Sequence, residues 1–161
     1  MKIQAIGGFK PVGVEFHQSV PGETLRAAYN FQTSAGGELK FHDNSFLRNS
    51  HPLLLEGYAD QSFGLMNPYG STALGVKIGT GGAFSPIRSN SANFYTALLG
   101  GYQWNYGGEE QNTQWQGGGE FGIFPHPQND FDITLGAKVG FPDEARTDLS
   151  WSTGLGVGWG F

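Results

Sequence analysis

His17 and Ser19 stand two residues apart in VEFHQSV, and an imidazole beside a hydroxyl is the smallest arrangement that could activate a nucleophile. Residues two apart on a strand share a face, so the pair could meet as base and nucleophile. The spacing defines no third group to orient the histidine. The plainer reading makes His17 an interior residue in phase with Glu15, and Ser19 a turn residue.

The other histidines carry less chemistry. His42 falls at an interior or interface position, while His51 and His126 each precede a proline in a turn. Scattered in this way, the histidines have no ligand spacing, and no metal or cofactor is expected. PYGS and GTGG are glycine-rich but lack a following helix or a suitably placed lysine, so neither cradles phosphate. The charged residues are more informative. Glu15, Glu56, Asp60, Glu120 and Asp132, with Arg26, Lys40, Lys77 and Lys138, all occupy the polar phase of alternating runs. Burying charge is costly unless it is paired, so these groups read first as a self-neutralising network. The alternative is the wall of a narrow pore that guides small ions or polar solutes.

The elements that must position these residues are strands. In DLSWSTGLGVGWGF, Trp151, Leu155, Val157, Trp159 and Phe161 share one parity, and glycine or serine fills most of the other. Successive side chains on a strand point to opposite faces, whereas a helix needs apolar residues three and four apart. The same rhythm puts Phe131, Ile133, Leu135, Val139 and Phe141 opposite Asp132, Thr134 and Lys138. Leu74, Val76 and Ile78 face away from Lys77, and Leu53, Leu55, Phe63 and Leu65 from Glu56 and Asp60, with Gln61 a blemish on the apolar side. Only IQAIGGF resists phasing. Between the runs fall VPGE, SAGG, FLRNSHP, MNPYGS, SPIRSNS, NYGGEEQN, PHPQN and PDEART, all rich in turn residues.

The pattern predicts an all-β chain: a closed antiparallel transmembrane β-barrel of eight or ten strands with short loops, spanning 1–161 as a single domain. Taking IQAIGGF as a strand of its own gives ten. A soluble β-sandwich would have to supply its own core for so continuous an apolar face. With 161 residues, 27 glycines and only 14% charged residues, the composition suits this reading. The net charge of −5 argues against a nucleic-acid partner. No run approaches the length of a membrane helix, and MKIQAIGGFK lacks the apolar core of a signal peptide, so an exported chain would be seen here in mature form.

Three resemblances bear on function. The last strand resembles the C-terminal targeting signal of bacterial outer-membrane proteins, with Gly156 in the glycine position and Trp159 and Phe161 in the last two. Gly154 stands where a polar residue is usual. That likeness implies the outer membrane as location, its lipopolysaccharide and phospholipid as surroundings, and the barrel assembly machinery as a folding partner. FGLMNPYGSTALGVKIGTGGAF and GVEFHQSVPGETLRAAYNF look like segments of the YfaZ-type outer-membrane proteins, a family without an established activity. His17 and Ser19 share the His-x-Ser spacing of an outer-membrane lipid A deacylase family. There the motif lies near the C-terminus and faces lipid, unlike His17. The expected function is a structural or narrow solute-passing barrel. The alternatives are a lipid-modifying enzyme and a soluble ligand-binding barrel.

Overall fold

The computed structural model describes residues 2–18, 25–40, 53–65, 70–81, 93–106, 112–124, 131–142 and 149–160. They form eight strands: β1 (Lys2–Gln18), β2 (Arg26–Lys40), β3 (Leu53–Gly64), β4 (Gly70–Gly81), β5 (Asn93–Tyr106), β6 (Asn112–Phe124), β7 (Phe131–Pro142) and β8 (Ser150–Gly160). Each strand pairs antiparallel with its neighbours in sequence, and β8 pairs with β1, so the sheet closes on itself as a barrel. The start of β1 and the ends of β2, β4, β6 and β8 share one end, called here the terminus end.

Of the two expected counts, eight and ten, the structure has eight; ten arises where two single strands each read as a pair. IQAIGGF and the run from Val12 to His17 both belong to β1. They look like two strands because the register shifts between Lys10 and Gly13, where three steps on β1 oppose two on β2, from Gln32 to Asn30. An extra residue of this kind reverses the alternation. Pro11, which has no amide to donate to a ladder, sits inside the bulge. SAGG is likewise no turn: Ser34 and Gly37 lie within β2, paired to Gly8 and Ala5 on one side and to Tyr58 and Leu55 on the other. Gly36 is small because β3 approaches closely, and a Cβ there would overlap the backbone of Leu55. The loops expected to be short lie outside the described residues, as do Ser19, His42, His51, His126 and Phe161.

Closure requires stagger. Followed across the ladder, Ala5 leads through Gly37, Leu55, Ile78, Leu98, Gly119, Ala137 and Thr153 back to β1 at Phe16, eleven residues further on. One of those eleven is the extra residue of the bulge. Such a shear tilts the strands by about 35–45° to the barrel axis.

Apolar side chains cover the outside. Leu74, Val76, Ile78, Leu98, Leu135 and Leu155 are all more than half exposed. Aromatic residues gather where this surface ends. Tyr102 packs edge-on against Trp104 and Trp115, with ring centroids 5.0 Å apart in both contacts. Trp151 stands at the same end and donates its indole N–H to Gln18 Oε1 at 2.7 Å. At the terminus end, the ladder sets Phe131, Trp159 and Phe9 side by side, and Phe9 meets Phe31 edge-on at 5.1 Å. The blemish at Gln61 is resolved locally. Its amide donates to Tyr106 Oη at 2.7 Å, and that hydroxyl lies 3.2 Å from Thr72 Oγ1.

The interior has little apolar core: among the described residues, Ala28, Tyr58, Ala73, Ala97 and Leu99 are the buried hydrophobic ones. Tyr58 is the large one, and two glycines make room for it. A Cβ on Gly75 would lie 2.7 Å from the Tyr58 ring, and one on Gly101 would lie 2.7 Å from its hydroxyl. Gly100, one residue away, faces outward, and a Cβ there meets nothing nearer than 4.0 Å. Gly101→Ala should therefore destabilise the barrel by about 1–3 kcal/mol through overpacking. Gly100→Ala should be neutral or slightly stabilising. Urea unfolding in micelles, followed by tryptophan fluorescence, checks the contrast.

Candidate functional site: a charged lumen

The inward phase of the strands brings charge from five of them into the barrel in two clusters. Nearer the terminus end, Lys10 on β1 and Lys77 on β4 grip the same carboxylate. Lys10 Nζ donates to Glu120 Oε2 at 2.6 Å, and Lys77 Nζ to Glu120 Oε1 at 2.9 Å. Lys77 also donates to Gln32 Oε1 at 2.6 Å, and its ammonium sits 5.6 Å from the centroid of the Tyr58 ring, within cation–π range. Gln116 Nε2 donates to the Tyr58 hydroxyl at 2.9 Å.

The second cluster centres on Lys138 of β7, which bridges two carboxylates. Its Nζ lies 2.9 Å from Glu15 Oε1 and 2.5 Å from Asp60 Oδ2. The remaining oxygens are also occupied. Ser62 Oγ donates to Glu15 Oε2 at 2.9 Å, and Asn30 Nδ2 donates to Asp60 Oδ1. His17 Nε2 approaches Glu15 Oε2 at 3.3 Å. Three carboxylates thus face three ammonium groups in these clusters, and the formal charge cancels. Pairing with satisfied lone pairs is the condition under which a low-dielectric interior tolerates charge.

Between the clusters lies a cavity of about 30 Å³, bordered by Lys10, Glu15, Asp60, Glu120, Thr134 and Lys138. That is room for water and for little else.

Of the other charged positions read from the sequence, Glu56 and Arg26 have described side chains. Glu56 is half-buried on β3, in register with Lys77. Arg26 is half-buried on β2, in register with His17. Lys40 pairs with Lys2, and Asp132 with Gly158, through the backbone; the side chains of Lys40 and Asp132 lie outside the described residues. The position across from His17 on β8 is Ser152, which faces inward and is buried. On the outer face, Trp151 and Leu155 are exposed and Val157 is half-buried, while Trp159 is described through its backbone alone.

Lys10 is the charged residue of these clusters that sequence reasoning missed. It directly follows the unphased run IQAIGGF, and the bulge carries its side chain inward to Glu120. Its one sequence signal was the proline beside it. A proline amid an alternating run marks a break in parity.

No protein-family model matches the sequence, and no curated protein sequence matches it. Among solved structures, the chain is similar to the crystal structure of Ail, the attachment invasion locus protein of Yersinia pestis. The identity is 14% and the TM-score 0.46, over 99% of this chain and 98% of that one.

Proposed function

We propose that the chain is a small integral barrel of a bacterial outer membrane, sealed by its own side chains and serving a structural rather than a conducting or catalytic role. The observation that carries this reading is the inversion of the usual protein plan, with apolar side chains outside and paired charge inside. A closed barrel leaves no backbone hydrogen bond unmade in hydrocarbon, which is what a membrane-spanning sheet requires. Trp151 and Trp159 stand eight residues apart on β8. That is about 26 Å along the strand, or about 20 Å along the axis once tilted. The separation suits aromatic girdles at the two interfaces of an outer membrane. The proposed kinship with YfaZ-type proteins rests on the likeness of the β1–β2 and β3–β4 segments and adds no chemistry.

Sealing is supported by charge that cancels within the two described clusters and by the water-sized cavity between them. Two measurements test the proposal. Refolded in detergent micelles, the protein should migrate differently on gels before and after boiling; identical mobilities together with solubility in plain buffer would refute the membrane reading. In planar bilayers it should show no resolved single-channel conductance, and regular channel steps would replace the sealed barrel with a pore.

A further inference from the structure

On the outer face of β3, apolar residues lie on both sides of Gln61. Leu53 and Leu55 stand towards the terminus end, Phe63 and Leu65 towards the other, and all four are exposed. Gln61 is therefore set within the apolar surface rather than at its border. Its bond to Tyr106 Oη uses one N–H of the amide. A second N–H and a carbonyl oxygen remain. Among the described residues, neither meets a partner. Threonines on this surface can turn to the ladder, as Thr153 does to the Gly136 carbonyl at 3.1 Å. Acyl chains offer nothing to either amide group, and leaving both unmet in hydrocarbon is costly. Beside Gln61 the surface is low. Thr33 and Ala35 on β2 stand in register with Ala59 and Gly57 on β3, and all four are exposed. The barrel itself does not require Gly57 to be small, since a Cβ there would meet nothing nearer than 3.8 Å. Leu74 and Val76 of β4, each more than half exposed, form one side of this hollow.

We infer that this face of β2 and β3 is where two copies of the chain meet in the plane of the membrane, their Gln61 amides paired across a two-fold axis along the membrane normal. The inference rests on the membrane reading. Rotation about the normal preserves depth, so a second copy brings its own amide to the level of Gln61. Each amide then offers the N–H and the C=O that the other needs, as a self-complementary two-fold contact demands. The small residues beside it let the two walls approach closely, which is how packing drives association where lipid removes the hydrophobic incentive. A lipid tail fills the hollow but does not answer the amide.

The chain contains no cysteine, so a single introduced one reports proximity cleanly. Ala59→Cys places a thiol in the hollow, and Ala137→Cys places one on the outer face of β7, half-way round the barrel. Each variant is refolded into phosphatidylcholine vesicles and treated with a short bis-maleimide over a series of lipid-to-protein ratios. Ala59→Cys should give cross-linked dimer at dilutions where Ala137→Cys gives none. Adding Gln61→Leu to Ala59→Cys should lower the ratio at which half the protein is cross-linked by about tenfold, the worth of two hydrogen bonds in a membrane. Gly57→Leu, which fills the hollow and leaves the amide in place, should lower it as well. Both substitutions should leave the gel mobility of the folded barrel unchanged. Equal cross-linking of the two cysteine variants overturns the inference, as does association that either substitution leaves unaltered. Absence of dimer at every ratio makes lipid the occupant of the hollow and overturns it too. Vesicle flotation keeps the two readings apart. Protein that floats but stays monomeric strikes the contact alone, whereas protein left in the buffer strikes the membrane reading and the contact with it.

Discussion

Lys138→Met lowers the stability of the folded barrel by about 3–5 kcal/mol, the range for removing one partner of a buried ionic group. The expectation follows from what is left behind. Glu15 and Asp60 are both buried, both lie within 2.9 Å of the Lys138 ammonium, and Asn30 and Ser62 can solvate them only in part. Two carboxylates facing a water-sized cavity then repel each other in a medium that screens them poorly. Adding Glu15→Gln and Asp60→Asn to Lys138→Met should recover most of the loss, because neutral amides of the same shape leave no unpaired charge. Urea unfolding of the single and triple variants in micelles measures both effects. A loss below about 1 kcal/mol for Lys138→Met would mean that water, rather than Lys138, solvates the two acids.

Leu135→Arg should cost about 2–4 kcal/mol in a lipid bilayer, the depth-dependent cost of a cation at the midplane. Leu135 is 56% exposed on the outer face of β7, between Leu155 on β8 and Phe121 on β6. Its neighbour Thr134 points the other way, is 1% exposed, and donates its hydroxyl to the Gly156 carbonyl at 3.4 Å. Polarity alone therefore does not make a change at Thr134 mild. Thr134→Ser keeps the hydroxyl and should cost under about 1.5 kcal/mol, whereas anything larger meets β8. Urea unfolding of both variants in phospholipid vesicles measures the two costs. Equal costs for Leu135→Arg and Thr134→Ser would show that the two faces are assigned the wrong way round.

Much of this architecture was legible because a strand's alternation is strict. In β7 and β8 an uninterrupted run fixes the face of every residue, and Lys138, Leu135 and Leu155 could be assigned from parity alone. The count of strands was not legible, for a physical reason: turn chemistry and close packing both call for glycine. Gly36 and Gly37 looked like a turn, yet Gly36 answers to the nearness of β3. Within the lumen, sequence could say which charges share the interior but not how they pair. That Lys138 meets Glu15 and Asp60, or that Lys10 and Lys77 share Glu120, depends on register and stagger between strands far apart in the chain. Pairing across a closed sheet is set by that geometry and leaves no local mark.

The bulge in β1 also governs how a chain like this can change in length. Losing one residue anywhere in an uninterrupted strand would turn the greasy side of everything beyond it inward. Between Lys10 and Gly13 the opposite holds: dropping Pro11 or Val12 would straighten the strand and leave both flanks facing as they do now. Over the evolutionary history of such sequences, single-residue gaps within strands should therefore collect at this one spot of β1.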